Sequence, residues 1–190
     1  MGRPDEGLRE AQIAQQLDPT GDHLSGAFYD AGEYDRAIAE IQRLLQSDPN
    51  NGFFHHCLYV CYATKGMYKE AGQEAEKVMV LFGYPDVAAH IHQALVASGG
   101  RDAIRQYTRE LERLTREKRG YFPGHAAEAY AVVGDKDRAF YCLEEAYNHH
   151  DTDKGGIDFG LEGLKVNHMF DSLHSDPRYK DLVRRIGLPE

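Results

Sequence analysis

Apolar positions along the chain recur at helical spacing. Ile38, Ile41, Leu44 and Leu45 form one stripe, Ala75, Val78 and Met79 a second, and Leu143, Ala146 and Tyr147 a third. Positions three or four apart lie on one face of an α-helix, so each stripe predicts a helix with one buried side. Ahead of each stripe stands a second short pattern: Leu24-Ser25-x-x-Phe28, Leu58-Tyr59-x-x-Tyr62 and Ala126-Ala127-x-x-Tyr130. It predicts a preceding helix. The two are joined by a recurring turn: Gly32-Glu-Tyr-Asp-Arg-Ala37, Gly66-Met-Tyr-Lys-Glu-Ala71 and Gly134-Asp-Lys-Asp-Arg-Ala139. The glycine suits a left-handed helix end, where a Cβ would clash, and the alanine suits a close helix crossing. Ala37 and Ala71 are 34 residues apart, and Ala37 and Ala139 are 102 apart, three times that period. Between them Gly99-Gly-Arg-Asp-Ala103 repeats the elements with a shorter turn.

The period predicts an all-α chain of four helical hairpins at about 20–51, 52–84, 85–119 and 120–153. Residues 1–19 fit the second half of a repeat, with Gly7 at the close-crossing position and Asp18-Pro19 at its end. A half repeat leaves an apolar face without a partner. The chain is therefore expected to be cut from a longer protein, or to have that end covered by another subunit. Residues 154–190 break the period. A loop is expected from Lys154 to Gly160, a short helical turn over Leu164–Leu173, and a final helix opened by Asp176 as N-cap with Pro177 at its first position. Tyr179, Leu182, Val183 and Ile186 give that helix one apolar stripe, which suits a cap on the last hairpin.

Leu24, Ser25, Phe28, Gly32, Tyr34, Ala37 and Pro49 in the best unit, with the period, resemble the tetratricopeptide repeat family. The chain departs from that pattern in having no tryptophan, in Asp151 where the closing proline falls, and in the short third turn. The resemblance implies a right-handed superhelical solenoid of antiparallel helix pairs, with the first helices lining a concave groove. The C-terminal half sharpens it. Gly134-Asp-Lys-Asp-Arg-Ala-Phe, Leu164-Lys-Val, Phe170-Asp-x-Leu, Ser175-Asp-Pro-Arg-Tyr and Arg184-Arg-x-Gly-Leu-Pro are similar to the C-terminal module of a group of bacterial multidomain signalling proteins. Their catalytic domains have no counterpart in this sequence, so their activities do not carry over.

The 190 residues carry a net charge of -9, which argues against a protein that wraps nucleic-acid phosphates or lies on an anionic bilayer. No apolar run is long enough to span a membrane, and the first residues hold no apolar leader segment. Three cysteines, an odd number, argue against a disulfide framework and for the cytoplasm. No phosphate loop, nucleophile elbow or His-Glu-x-x-His is found, so no enzyme activity and no cofactor are expected. Cys57 and Cys61 share a helix face but lack a second pair, and read as buried small residues rather than metal ligands. Glu110, Glu112, Arg113, Arg116 and Glu117 read as a solvated, self-paired face. His149-His150-Asp151 reads as a solvated helix end.

Each predicted first helix carries a histidine at nearly the same place: His23, His56, His90 and His125. If these helices line a groove about 8–10 Å apart, the imidazoles form a ladder down it. Such a ladder suits pH-tuned binding of a partner segment, with a metal bridging adjacent rungs as the lesser alternative. The groove positions read His23, Gly26, His56, Val60, His90, Gln93, His125 and Glu128, without the Lys, Arg and Asn set by which family members clamp an acidic peptide tail. A neutral or basic protein or peptide partner is therefore expected. Phe53, Tyr29 and Tyr121 are candidate anchors, with Tyr29 alternatively in the core. The reading is a non-enzymatic interaction scaffold. The alternative is a scaffold that self-assembles by end-to-end stacking through the half repeat.

Overall fold

A computed structural model of the chain describes residues 4–18, 22–120, 122–149, 161 and 163–188. Among them all regular structure is helical: α1 (Pro4–Leu17), α2 (Ser25–Asp30), α3 (Tyr34–Ser47), α4 (Gly52–Thr64), α5 (Tyr68–Leu81), α6 (Pro85–Ser98), α7 (Gly100–Arg116), α8 (Pro123–Val133), α9 (Lys136–His149), a 3-10 turn over His168–Leu173, and α10 (Pro177–Ile186). Consecutive helices from α1 to α9 pack on one another, apart from the joint between α9 and the C-terminal segment, where the predicted loop at 154–160 lies outside the described residues. No described helix is long and apolar enough to cross a membrane.

The repeated turn has a repeated geometry. Gly32, Gly66 and Gly134 adopt φ of 74°, 74° and 85°. The next residue's N–H then reaches back to the helix: Glu33 to the Phe28 carbonyl at 2.8 Å, Met67 to Tyr62 at 2.9 Å, Asp135 to Tyr130 at 2.9 Å. This closes the helix end through otherwise unpaired carbonyls. The carbonyls used belong to the aromatic residue of each repeated pattern. Ala37, Ala71, Ala103 and Ala139, the close-crossing positions, are each 0% exposed.

The third joint differs. Gly99 alone separates α6 from α7, and the chain approaches α5 closely there. A Cβ on Gly100 would stand 2.2 Å from the Tyr68 carbonyl carbon and 2.3 Å from the Lys69 nitrogen. α7 consequently packs on α5 as well as on α6 and α8.

Two apolar clusters hold the helices. The smaller joins α2, α3 and α4 through Phe28, Ala37, Ile38, Ile41, Leu58 and Cys61. The larger runs from Tyr59 of α4 to Val183 of α10, and takes in Leu164, Met169, Phe170 and Leu173 of the C-terminal segment. α10 starts with the Asp176 side chain accepting from the Arg178 N–H at 3.0 Å and ends at Gly187, φ 79°. It lies along α9: Arg178 stacks on Phe140 at 4.3 Å and bonds Asp137 at 2.8 Å, while Arg185 stacks on Tyr147 at 4.8 Å and pairs with Glu144. At the other end α1 packs on α2 and leaves Ile13 58% and Leu17 83% exposed.

Candidate functional site

Phe53, His56, Val60 and Thr64 follow one another at steps of three and four, and so share one stripe of α4. That stripe meets α8 directly, although three helices separate the two in sequence. The His56 and His125 rings are 5.0 Å apart at 68°. One turn further along α8 the Glu128 carboxylate lies 3.2 Å from His125 Nδ1. Ligand atoms of His56, His125 and Glu128 all fall within 4.8 Å of one another.

The C-terminal segment closes over this face. Asn167 Nδ2 donates to Glu128 Oε1 at 2.8 Å, and Asn167 Oδ1 accepts from the Tyr29 hydroxyl at 2.9 Å. The same Oδ1 caps the 3-10 turn by accepting from the Met169 N–H at 3.0 Å. Tyr29 also reaches Thr64 Oγ1 at 3.2 Å, and Thr64 donates to the Val60 carbonyl at 2.9 Å. His168 sits in an aromatic corner, 5.5 Å from the Tyr29 ring and 5.8 Å from Tyr34. Ser172 donates to the Ala131 carbonyl at 3.1 Å. One asparagine thus ties α2 to α8 through a segment that is 138 residues from Tyr29 in sequence.

Burial sets the electrostatics. It is the main cause pushing the His56 imidazole down to about 4, with His125 adding to the fall and Glu128 opposing it. His56 is accordingly neutral at ordinary pH. Burial likewise raises the Tyr29, Tyr59 and Tyr107 phenols, each further raised by the Glu128 charge. Glu128 is 3% exposed. The thiols of Cys57, Cys61 and Cys142 are pushed up to about 12, chiefly by burial. They are protonated and poor nucleophiles or ligands. What the face offers is imidazole and carboxylate ligand atoms, with hydrogen-bonding groups spaced to hold a polypeptide segment.

The structure brings together part of the residue set singled out from sequence. His56, Val60, His125, Glu128 and Tyr29 converge. Phe53, one turn before His56, stays 54% exposed and touches Phe54 at 5.8 Å. The even ladder of four histidines is not formed. His90 turns to Glu110 of α7, 2.8 Å away, with its side chain 48% exposed, and exposed Gln93 lies one turn on. His23 pairs with Asp18 at 3.4 Å, and exposed Gly26 has no neighbour within 4 Å of a notional Cβ. Tyr121 lies outside the described residues, as do His150 and Asp151, whereas His149 is exposed at the end of α9. His90 lies on α6 ahead of the short joint, and α7 packed beside that helix presents Glu110 to its ring.

A second expectation is corrected on α7. Its charged run is not a uniformly solvated face, because Glu110 is 5% exposed and is shared by His90, Gln106 and Arg113. Glu112 leaves the run to bind Tyr130 at 2.9 Å and Arg138 at 2.7 Å. No family model matches the chain, and no solved structure matches it. Sequence reasoning missed Tyr59, Thr64, Asn167 and His168. For Asn167 a signal existed: an asparagine directly ahead of a short apolar run is a helix cap. Its contact with Glu128 left no local trace.

Proposed function

We propose that the chain is a non-enzymatic interaction scaffold of the tetratricopeptide kind, a superhelix of hairpins whose inner face holds a peptide segment from a partner. The observation that carries this is the inner face's grip on a short polypeptide stretch, residues 163–173 of the same chain, through Asn167, His168 and Ser172. A face that satisfies a foreign-looking segment with side-chain donors and acceptors can satisfy an exchanged one. Phe53, exposed at the open end of the same stripe, is the natural aromatic anchor. Buried Glu128 and the overall charge of -9 favour a neutral or basic partner over an acidic tail. Three free thiols suit a reducing compartment, the cytoplasm.

The test uses the full chain with Asn167→Ala, which loosens the resident segment, and a labelled peptide of residues 163–174. Fluorescence anisotropy should show at least about tenfold tighter capture than by the wild-type chain, because the competing intramolecular segment is weakened. Capture should fall when the peptide's own asparagine is replaced, or when Tyr29→Phe removes the hydroxyl that the asparagine accepts from. Equal and negligible binding by all forms would sink the groove reading.

A second reading, self-assembly, is favoured by one observation: Ile13 and Leu17 of α1 stand exposed, without cover among the described residues. Light scattering over a concentration series tests it. A constant monomer mass rejects it, and a rising mass abolished by Leu17→Glu supports it.

A further inference from the structure

We propose that His56, His125 and Glu128 form a binding site for one divalent transition-metal ion of the zinc class, clamping α4 to α8. The inference is independent of what the inner face binds.

The driving observation is a buried carboxylate set beside two imidazoles. Glu128 is 3% exposed, and among the described residues its partners are an amide, Asn167, and an imidazole, His125. No lysine or arginine among them pairs with it. A buried carboxylate is stabilised by a cation held against it, and a metal ion shared with the two imidazoles supplies one.

The donor atoms suit such an ion. Two imidazoles and one carboxylate are the ligand set of three-coordinate protein sites for zinc, which leave a fourth position for water. Calcium and magnesium take six or more oxygens, which this face does not offer. His125 Nδ1 and Glu128 Oε2 are already 3.2 Å apart, on successive turns of α8. Bonds of about 2.0–2.1 Å at a tetrahedral angle require ligand atoms roughly 3.3–3.4 Å apart. The third atom, on His56, lies within 4.8 Å of both, and a rotation of one ring closes the remainder.

The surroundings are those of a held ligand set. Asn167 engages Oε1 of Glu128 and leaves Oε2 toward His125, and Tyr29 fixes the asparagine in turn. Outer partners of this kind orient first ligands and raise their affinity. Tyr59 is 1% exposed and its hydroxyl has no hydrogen-bond partner among the described residues. Its ring lies 5.9 Å from that of His56. The His125 side chain, 24% exposed, provides an entry from solvent.

The test is metal titration of the full chain after chelator treatment and desalting. Co(II) reports coordination through its visible bands, and Zn(II) competition with a chromophoric indicator gives affinity and stoichiometry. One equivalent is expected, with the visible bands of a four-coordinate ion. His56→Gln and His125→Gln should each weaken binding at least about 30-fold. His90→Gln, on the half-exposed histidine of α6, should change it less than twofold. NMR of the wild-type chain gives a readout free of folding defects: Zn(II) should shift the ring protons of His56 and His125 and leave those of His90 unmoved. Absence of a one-equivalent site at 100-fold excess metal, an affinity unaltered in both glutamine variants, or ring-proton shifts confined to other histidines would each overturn the proposal.

Discussion

Asn167→Ala removes a side chain that joins Tyr29 of α2 to Glu128 of α8. It deletes a charge-assisted bond to Glu128 at 2.8 Å, the acceptor of the Tyr29 hydroxyl at 2.9 Å, and the cap of the 3-10 turn at 3.0 Å. A hydrogen bond to a charged group contributes about 1.5–3 kcal/mol, and a helix cap about 1 kcal/mol. Tyr29 retains Thr64 at 3.2 Å, so its loss adds little. The sum is about 3 kcal/mol, a large part of a typical stability of about 5–15 kcal/mol. With a urea dependence of about 2–3 kcal/mol per molar, the midpoint should fall by roughly 1–1.5 M. Asn167→Asp should be worse than alanine at neutral pH, since it places a second carboxylate against buried Glu128. Urea titration followed by circular dichroism measures both, and hydrogen exchange should show protection lost first at residues 163–173. An alanine variant within about 0.5 kcal/mol of wild type, with that segment's protection unchanged, would refute the idea that Asn167 fastens the face.

Three other positions make separate predictions. Gly100→Ala should destabilise by at least about 3 kcal/mol by calorimetry, because its Cβ meets rigid backbone at 2.2 Å; a change below 1 kcal/mol would mean that α5 and α7 part easily. Lys118 takes a glycine's place with φ 56° after α7, its own N–H bonding Thr115 while Arg119 reaches back to Leu114 at 2.9 Å; Lys118→Gly should stabilise by about 0.5–1 kcal/mol in thermal unfolding, and a loss would disprove the strain. Cys57, Cys61 and Cys142, with thiols pushed up to about 12, should react with a disulfide reagent at pH 8 at least about 100-fold more slowly in the native chain than in denaturant, and a thiol reacting at the unfolded rate would contradict their burial.

What the sequence carried locally, it carried legibly. The turn glycines take left-handed backbone, the alanines five residues on are sealed at the crossings, and Asp176 caps α10. Each of these is decided by neighbours within a few residues, so the residue types state the geometry. The candidate site was legible only as a set of types. His56, His125 and Glu128 stand out in the pattern, yet the pattern also nominates His90, which pairs with Glu110 of α7 instead. The Asn167 contact pairs positions 39 and 138 residues apart with Glu128 and Tyr29, and no periodicity encodes such a closure.

That closure changes the statistical mechanics of the array. A stack of repeats with only nearest-neighbour contacts behaves as a one-dimensional chain, free to unravel from either end one unit at a time. Here the C-terminal segment returns to α2, so the hairpins from α2 to α9 form a loop rather than a line. A loop has no free end. To release any one hairpin the fastening must open first, and the whole set then loses its register together, giving one sharp transition where an open stack would melt gradually. α1, packed on α2 outside the fastening, keeps the freedom of a chain end to peel away alone.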